Sequence, residues 1–201
     1  MPNKKYNDTL PTAVKNGDWE KVRKLIAAGA DVKTQDEFGQ TELMLSAAIN
    51  APLAVIKEMI AAGADVNAED EYGETALMRA ARYNENPEVV KELIATGADI
   101  NAKDRTGKTA LMYAAKDNEN PEIIKELLAA GAEVDARDRN GKTALIYAAK
   151  SNGNPEVIKE LLAAGADVNA EDKYGKTVLM WAKKQNDNPE VVKALIAAGA
   201  E

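Results

Sequence analysis

The sequence contains neither cysteine nor histidine. Without cysteine there are no disulfides and no thiolate metal sites. Without either residue the chain lacks the commonest general base and the strongest side-chain nucleophile, which weighs against catalysis. Aromatics supply only 4% of the residues against a hydrophobic content of 45%, and alanine accounts for much of the latter. Such a composition suits small helices in close approach, not a bulky globular centre. No uninterrupted apolar stretch nears the length of a membrane span. Met1–Leu10 carries lysines but no apolar h-region, so no signal peptide is read there, and the expected location is cytoplasmic. A net charge of −7 argues against general affinity for nucleic acid or anionic membrane. The chain is read as non-enzymatic, with no cofactor and no metal.

What the chain does have is a period. Gly39, Gly73, Gly107, Gly141 and Gly175 are spaced 34 residues apart, and so are Gly63, Gly97, Gly131, Gly165 and Gly199. Asp70–Lys103 is one such repeat. Asp70-Glu71-Tyr72-Gly73 has the residues of a turn, with Asp first and Gly fourth. Thr75 suits the N-cap of a short helix, because its hydroxyl can accept an orphan backbone N–H. Leu77, Met78, Ala80 and Ala81 give that helix a wide apolar face. Asn86 is a second N-cap, Pro87 falls at N1, and Glu88 complements the dipole of a second helix. Val89, Val90, Leu93 and Ile94 form its apolar stripe, and Gly97 suits the left-handed position that closes it. Two helices this short are unstable alone and bury their faces only against neighbouring pairs. The expected architecture is therefore a quasi-one-dimensional stack.

The segments GADVNAEDEYGETALMRAA (63–81) and VVKELIATGADIN (89–101), repeated with small changes, resemble the ankyrin repeat family. The resemblance covers essentially the whole chain. It implies an all-α, ankyrin-type solenoid of about six helix–turn–helix repeats with hairpin-like turns between them. The chain divides into a single array over 1–201, with an N-terminal capping repeat at 1–35, internal repeats at 36–69, 70–103, 104–137 and 138–171, and a C-terminal repeat at 172–201. The usual Thr-Pro-Leu-His of the family's first helix is replaced by Thr75-Ala76-Leu77-Met78 and its counterparts. Met78, Met112, Ile146 and Met180 are therefore expected to be buried where the histidine would stand.

Several constellations have a structural reading. Ser46 stands where other repeats have Ala, and Ser151 is read as a polar helix end. Asp65–Asp70 lacks the central Gly of a calcium loop and has Ala76 where a Glu is required, so it is read as an inter-repeat turn. The recurring Asn50, Asn84, Asn118, Asn152 and Asn186 are read as helix-ending residues tolerant of left-handed geometry.

The resemblance implies that partner contacts come from the turn tips and the exposed side of each first helix. On this chain those positions are Arg79, Tyr113, Tyr147 and Trp181 on the helices. The tips contribute Tyr72, Arg105, Lys108, Arg139, Lys142, Lys173, Tyr174 and Lys176, and the helix ends contribute Tyr83, Lys116, Lys150 and Lys184. Positive charge and aromatics accumulate together from the fourth repeat onward, while glutamates concentrate on the second helices. The expected function is a scaffold that recognises a protein or peptide, acidic in character, through this face. The near-identity of the repeats also fits an engineered or consensus solenoid without a natural partner, although Trp19, Leu53 and Ala51-Pro52 break the template. Nucleic-acid binding by the basic groove is the weakest alternative. Lys183 replaces the Ala of Ala81, Ala115 and Ala149, as a polar outer face requires, yet Val191, Val192, Leu195 and Ile196 keep the internal pattern. Fraying or self-association through the C-terminal repeat is expected from that conflict.

Overall fold

A computed structural model describes residues 9–201. The N-terminal segment read for a signal peptide, and the start of the 1–35 repeat, fall largely outside the described residues. Among those residues the chain is all-α, with twelve helices in six pairs. The pairs are α1 (Leu10–Lys15) with α2 (Trp19–Ala27), α3 (Glu42–Ala48) with α4 (Leu53–Ala61), and α5 (Ala76–Tyr83) with α6 (Pro87–Ala95). They continue as α7 (Ala110–Asp117) with α8 (Pro121–Ala129), α9 (Ala144–Ser151) with α10 (Pro155–Ala163), and α11 (Val178–Gln185) with α12 (Pro189–Ala197). The first three pairs form one compact unit, Met1–Asp99, and the last three a second, Ile100–Glu201.

Within each unit the same packing recurs. First helices lie against first helices, α1 on α3 on α5 and α7 on α9 on α11. Second helices form an outer layer, α2 on α4 on α6 and α8 on α10 on α12. The core is the apolar faces between them. Leu111, Met112, Ala114, Ala115, Ile123, Ile124 and Leu127 are all buried. Each leucine or isoleucine so buried contributes about 1.5–3 kcal/mol relative to an exposed one. Alanines at 114 and 115 let neighbouring first helices approach closely, which accounts for the alanine-rich, aromatic-poor composition.

The local signals produce the elements they imply. Thr75, Thr109, Thr143 and Thr177 cap the first helices by accepting from the backbone N–H three residues on. Asn86, Asn120, Asn154 and Asn188 cap the second helices, each followed by Pro at N1. Between repeats the chain forms hairpin-like tips, with Asp70 N–H donating to Glu74 O and Gly73 N–H returning to Asp70 O. Successive tips are joined by one backbone bond, Glu71 to Phe38 in the first unit and Arg139 to Thr106 and Lys173 to Asn140 in the second. That closeness needs glycine. A Cβ on Gly141, at φ +75°, would stand 2.8 Å from the Lys173 nitrogen.

Two expectations are corrected. Left-handed geometry holds at Asn50 alone, at φ 56°. Asn84, Asn118, Asn152 and Asn186 are extended, with φ between −83° and −109°. Their side chains are the reason for them. Asn84 Nδ2 donates to Ala47 O at 3.0 Å, and Asn152 Nδ2 donates to Ala115 O and Asn118 O at 3.0 and 2.9 Å. Asn186 repeats the pattern on Ala149 O and Asn152 O. Each Asn Oδ1 meanwhile accepts from the N–H of the second helix's N-cap residue. The ladder satisfies the carbonyl ends of the preceding first helix, groups that a helix leaves unpaired. The second correction is Met180. Met78, Met112 and Ile146 are buried at 1%, 1% and 0% exposure, but Met180 is 56% exposed. It lies on α11, the last first helix among the described residues, which packs chiefly on α9 and α12.

Candidate functional site

The turn tips that begin at Asp70, Asp104, Asp138 and Asp172 are each built on a buried aspartate, whereas Asp36 in the preceding tip is exposed. Asp104 Oδ1 accepts from the N–H groups of Thr106 and Lys108 at 2.7 and 2.8 Å. Asp138 does the same with Asn140 and Lys142, and Asp172 with Tyr174 and Lys176. The second oxygen reaches the first helix nine residues on. Tyr113 Oη donates to Asp104 Oδ2 at 2.6 Å, Tyr147 Oη to Asp138 Oδ2 at 2.7 Å, and Trp181 Nε1 to Asp172 Oδ2 at 3.1 Å. A carboxylate so surrounded is stabilised in its charged form. Burial raises the Asp104 and Asp172 pKa, and the hydrogen bonds together outweigh it, leaving both below the ordinary aspartate value. Burial, followed by the bond to Asp138, pushes the Tyr147 hydroxyl well above the usual phenol range.

The three rings are therefore internal fixtures. Tyr113, Tyr147 and Trp181 are only 5–8% exposed. The sequence reading gave them to the exposed side of the helix as contact area, and the aspartate clasp explains why they turn inward instead. Above them stand lysines. Lys108 Nζ lies 5.5 Å from the Tyr113 centroid and 6.0 Å from that of Tyr147. Lys142 Nζ bridges Tyr147 and Trp181 at 5.8 and 4.4 Å. Lys176 and Lys150 approach Trp181 at 4.7 and 5.2 Å. These are cation–π distances, at which the electron-rich ring face attracts an ammonium. Lys108, Lys116, Lys142, Lys150 and Lys176 are all half-buried. Burial, then the charges of Lys142 and Lys116, lower the Lys150 pKa below the ordinary lysine value. Among the described residues, Lys108, Lys142, Lys150 and Lys176 have no carboxylate within ion-pair distance, whereas Lys116 pairs with Asp117 at 2.7 Å.

With paired short helices, glycine-dependent tips and Thr-Ala-Leu first helices all in place, the comparison with known families is decisive. Ankyrin repeats match in three overlapping copies, over residues 10–104, 77–172 and 111–201. The chain belongs to the ankyrin repeat family. No curated protein matches it. Ankyrin repeat domains are generally protein-binding scaffolds and typically non-enzymatic. Among the described residues, no cluster of three or more His, Cys, Asp or Glu side chains could hold a metal, and no helix is long and apolar enough to cross a membrane.

The remaining predicted positions of this ankyrin chain fall into two sets. In the second unit Arg105, Arg139, Lys173, Tyr174 and Lys184 are exposed, so the tips carry free basic side chains above the half-buried lysines. Lys173 lies 5.1 Å over the Tyr174 ring. In the first unit the equivalent face is self-neutralised. Arg79 Nη2 takes the clasp position on Asp70 Oδ2 at 2.6 Å and its Nε lies 3.4 Å from Glu74, which Arg82 also approaches at 4.0 Å. Tyr72 and Tyr83 are exposed, at 61% and 46%. The outer faces are neutralised as well, by pairs such as Lys125–Glu122 and Lys159–Glu156, both at 2.6 Å. Exposed pairs of this kind contribute little stability.

Sequence reasoning missed the aspartates at 70, 104, 138 and 172 as organisers of the face. The signal was present: a donor, Arg, Tyr or Trp, stands nine residues after each, and Leu45 after Asp36 is the exception. Also missed was Glu42, buried at a position that other repeats give to Ala or Val.

Proposed function

We propose that this ankyrin array binds an acidic protein or peptide through the basic face of Ile100–Glu201. The observation that supports it is the row of half-buried lysines, Lys108, Lys142, Lys150 and Lys176, held over aromatic rings with no carboxylate in ion-pair reach among the described residues. Uncompensated, partly desolvated cations are unfavourable in the free chain, and an anionic partner relieves that cost. Arg105, Arg139, Lys173 and Lys184 on the rim steer such a partner in. The rings contribute by fixing the lysines, so the positive charge is preorganised.

Titration with an oligoglutamate peptide, an oligolysine of the same length and a single-stranded oligonucleotide tests this reading. Oligoglutamate alone is expected to bind. Reversing Arg139 and Lys142 together to Glu is expected to slow its association at least about tenfold without loss of helical circular dichroism. Equal binding of both peptides overturns the reading, and oligonucleotide binding with a steep salt slope transfers it to nucleic acid.

A second contact is favoured by one observation. Met180 and Ile196 in the last repeat are 56% and 52% exposed. We propose self-association there. Concentration-dependent sedimentation that Met180→Glu abolishes supports it, and a monomer at all concentrations refutes it.

A further inference from the structure

The lysines are not evenly spread along the basic face. Lys142, Lys176 and Lys150 place their ammoniums 4.4, 4.7 and 5.2 Å from the centroid of one ring, that of Trp181. Any two of them therefore lie within about 10 Å of each other, about the Debye length at 0.1 M salt, and because they are half-buried salt screens their repulsion only in part. The carboxylate bonded to the ring, Asp172, is already engaged by the N–H groups of Tyr174 and Lys176 and by the indole N–H. Glu119 shares a shallow polar groove with Lys150, yet among the described residues it forms no ion pair with it. Three ammoniums over one carboxylate leave an excess of two positive charges around one buried ring. A carboxylate ligand would cancel only half of that. A phosphomonoester carries about −1.5 to −2 and has three acceptor oxygens, one for each ammonium.

We infer that the lysine triad around Trp181 is a seat for a phosphoryl dianion carried on the bound polypeptide, so that the partner is a phosphorylated serine or threonine segment. The inference rests on the reading of this face as an acidic-partner surface and specifies what the face recognises. Trp181 fixes the three stems through cation–π contact, and Asp172 fixes Trp181. The ring is a positioning residue, and the ammoniums make the contact. Lys binds a phosphoryl oxyanion as a point charge with three rotatable donors.

Trp181 provides its own readout, because the only other tryptophan is Trp19 in the first unit. In a Trp19→Phe background, Trp181 emission is titrated at fixed ionic strength with three probes. They are a capped pentapeptide with phosphoserine between glycine pairs, its aspartate counterpart, and inorganic phosphate. The phosphoserine peptide is expected to bind about tenfold tighter than the aspartate peptide, reflecting the second charge. Lys142→Gln and Lys150→Gln are each expected to remove that preference, and Lys103→Gln, an exposed lysine outside the triad, to leave it unchanged. Unchanged helical circular dichroism excludes unfolding as the cause of a lost preference. Equal affinity for the phosphoserine and aspartate peptides overturns the inference, as does a phosphoserine preference that survives both substitutions. Tighter binding of inorganic phosphate than of the phosphopeptide overturns its assignment to a polypeptide. Oligoglutamate binding without any phosphoserine preference refutes this inference alone and leaves the acidic-partner reading standing. Failure of every anionic probe to bind refutes the acidic-partner reading and this inference with it.

Discussion

Glu42 is the residue whose replacement tests the packing account most directly. It is the first residue of α3, behind the Thr41 cap, and it is only 5% exposed. Its counterparts Ala76, Ala110, Ala144 and Val178 are buried at 0–2% exposure, so the site is built for a small apolar group. Burial drives the Glu42 pKa up from 4.5 to about 7, with the Asp36 and Asp31 carboxylates adding to it and the helix-end N–H and the Thr34 hydroxyl opposing it. The carboxyl holds its proton to higher pH in the folded chain than in the unfolded one. Stability is thus fully present below pH 4.5 and is lost as pH rises through 7. At about 1.4 kcal/mol per unit, the full loss is about 3 kcal/mol above pH 7. Glu42→Gln keeps the shape and removes the ionisation. Urea unfolding followed by circular dichroism should show Glu42→Gln more stable than the parent by about 2–3 kcal/mol at pH 8, with the difference shrinking toward zero at pH 4.5. A difference that does not change with pH would refute the reasoning, since it would mean the carboxylate reaches solvent or an unrecognised partner.

Other expectations follow from the same geometry. Ser46 is fully buried and its hydroxyl has no partner among the described residues, where Ala80, Ala114, Ala148 and Ala182 stand in the sibling repeats, so Ser46→Ala is expected to raise stability by about 1 kcal/mol in urea unfolding. Met112→Ala should cost about 2–5 kcal/mol in the same assay, while Met180→Ala, at an exposed position, should cost under about 0.5 kcal/mol. Equal losses at the two sites would contradict the burial described above. Tyr147→Phe leaves Asp138 Oδ2 without its 2.7 Å donor and should destabilise by about 1–3 kcal/mol. In a pH titration of absorbance, Tyr147 should ionise above the ordinary phenol range, as its raised pKa requires.

The sequence alone determined whatever depends on a few adjacent residues. Thr75, Asn86 and Pro87 mark helix starts, Asp70 and Gly73 a turn, and Gly97 a helix end, because caps and turns are satisfied within three or four residues. The 34-residue period then assigned the fold, since every repeat carries the same local code. The positions that form the candidate face were also legible, and so was the accumulation of lysine along it. Only tertiary structure decided which way those side chains face. Asn152 reads as a turn residue until Ala115 and Asn118, 37 and 34 residues earlier, present their carbonyls to it. Trp181 reads as an exposed anchor until Asp172, folded back by its tip, takes the indole N–H and turns the ring under Lys142, Lys150 and Lys176. Met180 carries the same local signal as Met112, and its exposure differs because burial in a stack is conferred by the neighbouring repeat and not by the residue itself.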